Sequence, residues 1–353
     1  MSDFISSIGL PEVIAGIMVL ALNAYVLMGG ADYGGGVWDL FASGPRREAQ
    51  RELIASSIAP VWEANHVWLI VVVVMLFTAF PTVFATLSVV LHVPLTILLV
   101  GIVLRGSAFV FRSYGTYDRP SRQRWGRAFA MASVVAPVLL GIIIGALASG
   151  TVGDASARVG TSPSFSDVFI RPWLTPFSIT VGVFALSLFA FIAAVYLTIE
   201  ARDEPLREDF RGRALGAAVA VFVTAGIALA LALTSAPRVA HGIVGALWSI
   251  PLHVVTAIAA IIAFVALIRR RYDLARVAAI LQVSCILWGW AFSQYPYLVP
   301  DRLTIRGAAA PRITLELLLI GLIAGAIILI PSLRYLFRTF AGRAAERQAT
   351  AHE

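Results

Sequence analysis

Nine stretches of this chain are each long and apolar enough to cross a lipid bilayer. They run approximately over residues 10–31, 60–80, 84–107, 127–149, 174–199, 214–234, 243–268, 275–294 and 313–336. A helix needs roughly 20 apolar residues to traverse the hydrocarbon, and inside it every backbone N–H and C=O must be bonded within the protein. The other spanning solution, a β-barrel, reads as strands of about 10 residues with alternating polarity. Runs such as LIVVVVMLF (69–77) and LLGIIIGALA (139–148) have no alternation. The expected fold class is therefore all-α, a polytopic membrane protein of about nine transmembrane helices. Composition agrees: 59% of the 353 residues are hydrophobic and only 13% charged, against about 25% charged in a soluble domain.

The spans divide the chain into a first membrane half, residues 1–150 with spans one to four, and a second, residues 151–340 with spans five to nine. A tail over 341–353 follows. A Ser/Gly-rich stretch at 149–167 joins the halves. The first residues, MSDFISSIGLPEV, have no basic segment and no small-residue cleavage site after the first apolar run, so that run is read as a retained span. The one cysteine, Cys285, lies inside a span, which excludes a disulfide framework and a cysteine-based metal centre.

The net charge of +7 is a matter of topology. All 27 basic residues are arginine, and 20 of them fall in the loops after spans 1, 3, 5 and 7 and in the tail. Six (Arg158, Arg171, Arg238, Arg302, Arg306 and Arg312) occupy the opposite loops, and Arg105 lies near the end of span 3. Basic loops face the cytoplasm. The N-terminus is thus expected outside and the C-terminus inside, in a bacterial cytoplasmic membrane, with the arginines meeting anionic lipid headgroups. No nucleic-acid partner is needed to explain the charge.

Ionisable residues within spans cost roughly 2.5–3.5 kcal/mol at a central position and usually mark function or pairing. Asp32 sits at the end of span 1 in MGGADYGGGVWDLF, Glu63 one turn into span 2 in SSIAPVWEANHVWLI, and Arg105 near the end of span 3. All three share one depth on the cytoplasmic side. One reading is a proton relay led by Glu63, whose partial burial makes it switchable. The other is a structural ion pair of Arg105 with Glu63 or Asp32. Asp39, after Trp38, is read as solvated. Gly29, Gly30, Gly34, Gly35 and Gly36 permit close helix approach or a helix break, with close approach favoured. His66, His92, His241 and His253 contain no His-x-x-x-His pair, and each is read as hydrogen-bonded helix glue rather than a haem ligand. Trp62, Trp68 and Trp125 are candidates for the interfacial aromatic belt.

The segment Pro60, Trp62, Glu63, Asn65, Val67, Trp68, Leu69, Ile70 resembles the second-helix signature of subunit II of the cytochrome bd quinol oxidases, Pro-x-Trp-Asp-Gly-Asn-x-Val-Trp-Leu-Ile. Asp32, Gly34 and Gly36 match that family's Asp-Gly-Phe-Asp-x-Gly-Val-Gly segment, Arg105 matches an arginine late in span 3, and YPYLVPDRLTI (295–305) resembles the loop before the last helix. The resemblance implies two four-helix bundles plus one peripheral helix. It also implies a partner, the haem-bearing subunit I, which holds haems b558, b595 and d, oxidises quinol and reduces O₂ to water. A small single-helix accessory subunit and lipids are further expected partners, and a structural quinone is left open.

This chain is expected to bind no haem, to have no catalytic residue of its own, to support assembly, and to contribute a cytoplasmic proton path through Glu63, Asp32, Asn65 and His66. Arg105, Trp62 and Trp68 are its structural and charge partners. Four positions depart from the family pattern: Glu63 replaces Asp, Ala64 replaces Gly, Gly29 replaces the first Asp, and Val110 stands where some members carry another acid. Two other readings stay open: a secondary transporter, and an assembly subunit whose proton path is lost.

Overall fold

The computed structural model describes residues 9–349 other than 59–61, 115–118 and 162–163. Pro60 of the signature lies outside the described residues, as do the side chain of Trp62, every side chain from 336 onward and residues 350–353.

The chain is almost entirely helical. In order it forms α1 (Leu10–Leu40), α2 (Arg47–Ile58), α3 (Trp62–Ala79), α4 (Pro81–Val90), α5 (His92–Tyr114), α6 (Arg119–Ala148), α7 (Thr151–Ser156), α8 (Phe165–Phe169), α9 (Pro176–Glu200) and α10 (Glu204–Ser235). There follow α11 (Pro237–Ala240), a π-turn (His241–Gly245), α12 (Ser249–Ile268), α13 (Tyr272–Gln294) and α14 (Arg312–Ala349). Among the described residues, eight helices are long and apolar enough to cross a membrane, and the pair α2–α3, bent by 53°, makes a ninth when counted as one span. A two-stranded antiparallel hairpin, β1 (Tyr297–Val299) with β2 (Leu303–Thr304), is an addition to the all-α expectation.

Three expected boundaries moved, each for a local reason. The third span, expected over 84–107, is two helices. The break falls at Leu91, because Pro94 has no N–H to offer the Val90 carbonyl, and α5 restarts at His92. The first span runs to Leu40 rather than 31, unbroken through its glycines, because those glycines are filled by neighbours. The Ser/Gly-rich 149–167 stretch holds α7, where Thr151 Oγ donates to the Ala146 and Pro172 carbonyls, and the start of α8, where Ser164 caps the amide of Asp167.

The helix α9 is the hub. Its residues Leu188–Val195 are buried, and it packs on α1, α6, α10 and α13, so that one core draws on both halves of the sequence. Small residues make this possible. A Cβ on Gly34 would stand 2.0 Å from the Phe189 carbonyl oxygen, and one on Gly141 would stand 2.6 Å from Gly182 Cα. Backbones therefore touch along α1–α9 and α6–α9, the small-xxx-small mode of membrane helix packing. By contrast α14 packs mainly on α1 and α3 among the described residues and exposes Ile313, Leu317, Ile320 and Ile327, as a peripheral helix should.

Candidate functional site: a buried polar chamber against helix α1

One face of α1 is lined by Tyr25, Gly29, Asp32, Gly36 and Asp39, spaced 4, 3, 4 and 3 residues apart, and all are buried. That spacing puts them on a single stripe. Asp32, 3% exposed, accepts a hydrogen bond from Asn65 Nδ2 at 2.8 Å, and the same nitrogen reaches the Met28 carbonyl at 3.3 Å. Asn65 is on α3, three residues past its start. The polar cluster at the head of that helix thus turns Asn65 inward.

Arg105 of α5 is the largest fully buried side chain among the described residues. Its guanidinium carbon lies 4.6 Å from the Tyr33 ring centroid and 5.1 Å from that of Phe129, a cation between two aromatic faces. Its Nε donates to Ser133 Oγ at 3.1 Å, and Ser133 in turn donates to the Phe129 carbonyl. Gly36 leaves the room for this serine, since a Cβ there would stand 2.1 Å from Ser133 Oγ. Arg105 Nη2 has no hydrogen-bond partner among the described residues, nor has Asn65 Oδ1. No ion pair within 4.0 Å joins Arg105 to Asp32 or Glu63 among the described residues, so the structural pair that the sequence left open is absent there.

Aromatic rings close the chamber. The His66 ring meets Tyr33 at 5.8 Å and Tyr25 at 6.1 Å, Tyr33 stacks on Phe189 at 6.2 Å, and Tyr25 Oη donates to Tyr33 Oη at 3.4 Å. Trp68, one helical turn past Asn65, packs on the same core, and its Nε1 has no partner among the described residues. Asp32, Asn65, His66 and Arg105 therefore come together.

Glu63 does not join them. It is exposed on the surface of α3, where the expectation had it partly buried. Two residues advance a helix by about 200°, so Asn65 facing the chamber obliges Glu63 to face away. It heads an exposed stripe of Ile70 (60%), Val74 (49%) and Phe77 (60%). Val110 lines an open apolar groove of about 450 Å³ on α5 with Ile102, Val103 and Phe111.

The second buried carboxylate is a correction. Asp39, read as solvated, is 1% exposed. Both its oxygens accept from Arg112 at 2.9 Å, and Arg51 Nε approaches to 3.8 Å. This clasp joins α1, α2 and α5. The signal was present as the seven-residue interval from Asp32, but the arginines that satisfy it lie far along the chain. The sequence also passed over Tyr25, Tyr33 and Ser133.

Known proteins can now be set beside this geometry. The model of the family described as cytochrome bd terminal oxidase subunit II matches residues 10–340. The chain belongs to that family. Among relatives, it is 28% identical over 144 residues to the Bacillus subtilis cytochrome bd ubiquinol oxidase subunit 2, covering 40% of this chain and 41% of that one. It is also 28% identical over 185 residues to the Escherichia coli cytochrome bd-I ubiquinol oxidase subunit 2, covering 52% and 47%. The chain thus spans less than half the length of these two curated relatives. In fold it is similar to a chain in the structure of bd oxidase from Geobacillus thermodenitrificans, with a TM-score of 0.75 and 24% identity over 94% of this chain and 98% of that one. A subunit II of this family is the frame in which the chamber must be understood.

Three of the histidines that a haem could use are engaged with neighbours inside the chain. His66 is wedged between two tyrosines. His92 and His253 each have a ring nitrogen on a carbonyl of a residue three or four earlier, at 2.9 and 2.6 Å. Among the described residues no group of three His, Cys, Asp or Glu is placed to hold a metal ion.

Proposed function

We propose that this chain is the haem-free half of a quinol:O₂ oxidoreductase, docking a haem-bearing subunit I and delivering protons toward it from the cytoplasm. Haems b558, b595 and d, and the quinol site, belong to that partner. The N-terminus lies outside and the C-terminus in the cytoplasm, on the arginine distribution alone.

The observation that carries the reading is the division of labour at the head of α3. Glu63 sits exposed at the end of an apolar stripe, while Asn65, on the opposite side, bonds the buried Asp32. A carboxylate capping a lipid-length apolar face is costly against hydrocarbon and is explained by a protein partner covering it. At that seam Glu63 can exchange protons with water on one side and the partner on the other. Asp32, Asn65 and His66 form the polar lining behind it, and Arg105 fixes the local field. The missing carboxylates at Gly29 and Val110 leave Glu63 and Asp32 as the acids of the path.

Membership of a haem-bearing complex is tested directly. Purification from native membranes should yield a larger haem-bearing chain and a reduced-minus-oxidised haem spectrum; isolation as a haem-free homomer would sink the proposal. The secondary-transporter reading has no support from the family.

A further inference from the structure

We propose that the cleft between the α1–α2 turn and α10 is a binding site for a phosphate group, distinct from the proton path. The cleft has a volume of about 260 Å³ and is lined by Ser43, Gly44, Arg46, Gln50, Asp209 and Arg213. It is several times the roughly 30 Å³ that one water occupies in the liquid. Gly44, at φ +76°, lets the chain double back over it.

Its chemistry is set by Arg213. The guanidinium is held between the rings of Phe210 and Trp38, at 5.1 and 5.5 Å from their centroids. Its Nη2 donates to Gln50 Oε1 at 2.7 Å and to the Phe41 carbonyl at 3.3 Å. Nη1 is buried and has no hydrogen-bond partner among the described residues. The one carboxylate in the cleft makes no direct ion pair with Arg213 among the described residues. Asp209 is occupied by Arg46, through Nε at 2.9 Å and Nη2 at 2.5 Å, and by Gln50 Nε2 at 2.8 Å. Two arginines against one carboxylate leave a net positive, immobilised and partly desolvated site. Anionic oxygens are the acceptors that guanidinium groups bond most strongly.

The position narrows the ligand to phosphate chemistry at the membrane surface. Arg213 directly precedes the apolar run of α10 that begins at Ala214, and the same turn exposes Leu40 (40%) and Phe41 (59%). A polar cleft with an apolar lip at that level suits the phosphodiester of an anionic lipid, whose chains then lie along Leu40 and Phe41. A free phosphate has the same recognition chemistry without the lip.

The test uses the assembled complex in nanodiscs, with native mass spectrometry of retained lipid. In discs containing phosphatidylglycerol, wild type should retain one more anionic lipid than Arg213→Gln, with apparent affinity about tenfold weaker in the variant, the worth of one charge-assisted hydrogen bond. In pure phosphatidylcholine discs, stabilisation by added inorganic phosphate that is lost in Arg213→Gln would assign the site to the free ion instead. Should Arg213→Gln fail to assemble, Arg46→Gln takes its place. It removes an exposed side chain and turns the Asp209 carboxylate against the ligand, so retention should again fall. Retention and phosphate response equal to wild type in the variants would overturn the proposal.

Discussion

Asp32 and Asp39 stand two helical turns apart on the same face of α1, both buried, yet the protein treats them in opposite ways. Asp39 is locked: two oxygens on Arg112, a third contact from Arg51, and three helices tied through one carboxylate. Asp32 receives one amide N–H from Asn65, while the nearby cation, Arg105, is held by aromatic faces and a serine rather than by the carboxylate. A buried pair of full charges is strongly disrupted when one partner goes, so the Asp39 clasp is committed to structure. A carboxylate with a single neutral donor has no such commitment. The contrast separates two uses of the same residue type: a staple that ties three helices through arginines, and a carboxylate held by a single neutral amide.

The contrast is broken most severely at Arg112. Replacing it with Leu leaves Asp39 in a dry site with only the 3.8 Å contact to Arg51, and the expected loss is about 3–5 kcal/mol. Thermal melts of the purified complex, with assembly yield, measure it. The double variant Asp39→Leu with Arg112→Leu should recover most of that loss, because no buried charge is then unpaired. A double variant as unstable as the single would show that the pair is not the cause. The next largest effect is expected from Arg105→Gln. The cation between Tyr33 and Phe129 is worth about 2 kcal/mol when desolvated, partly offset by relief of its unpartnered Nη2. Melts should therefore shift less than for Arg112→Leu, while turnover per haem falls further than stability explains.

Much of this was legible in the residues, and most of the exceptions have a distant partner as their cause. The spans were readable because a bilayer demands length and apolarity, which are local properties. The break at Leu91 was hidden inside an apolar run, although Pro94 carried the signal. The glycine stretch 34–36 was readable as close packing but not as an unbroken helix, because what fills the missing side chains, Phe189 and Ser133, comes from α9 and α6. Asp39 was misread as solvated for the same reason, its partner Arg112 being 73 residues further on. Glu63 was expected half-buried with its neighbours. Helical phase, once Asn65 is known to face Asp32, sends it outward. Local pattern specified the elements, and distant partners decided the side chains.

Asp32→Asn sharpens the comparison from the other side. The amide keeps an oxygen to accept from Asn65, so stability should change by no more than about 1 kcal/mol, the net worth of one hydrogen bond. Asp39→Asn, by contrast, strands two arginines and should cost more. If Asp32 is the exchanging carboxylate, its amide variant assembles normally but turns over more slowly, with slower proton uptake on oxygen pulses. Equal melts and equal turnover for Asp32→Asn would reduce Asp32 to a helix contact.

The smallest effect on stability, and the most specific effect on function, belongs to Glu63→Gln. Glu63 is exposed on α3 and makes no ion pair among the described residues, so its charge contributes nothing measurable to the fold of the chain. Assembly yield, haem content and melting temperature should therefore match wild type. Turnover should not: with the carboxylate gone from the seam, proton delivery falls while quinol binding is untouched, lowering kcat without raising KM. Glu63→Asp retains the carboxylate one methylene shorter and should restore most of the rate. If Glu63→Gln instead lowers assembly while turnover per haem stays whole, Glu63 is a docking residue, and the division between staple and proton carrier falls between α1 and the partner rather than within α1.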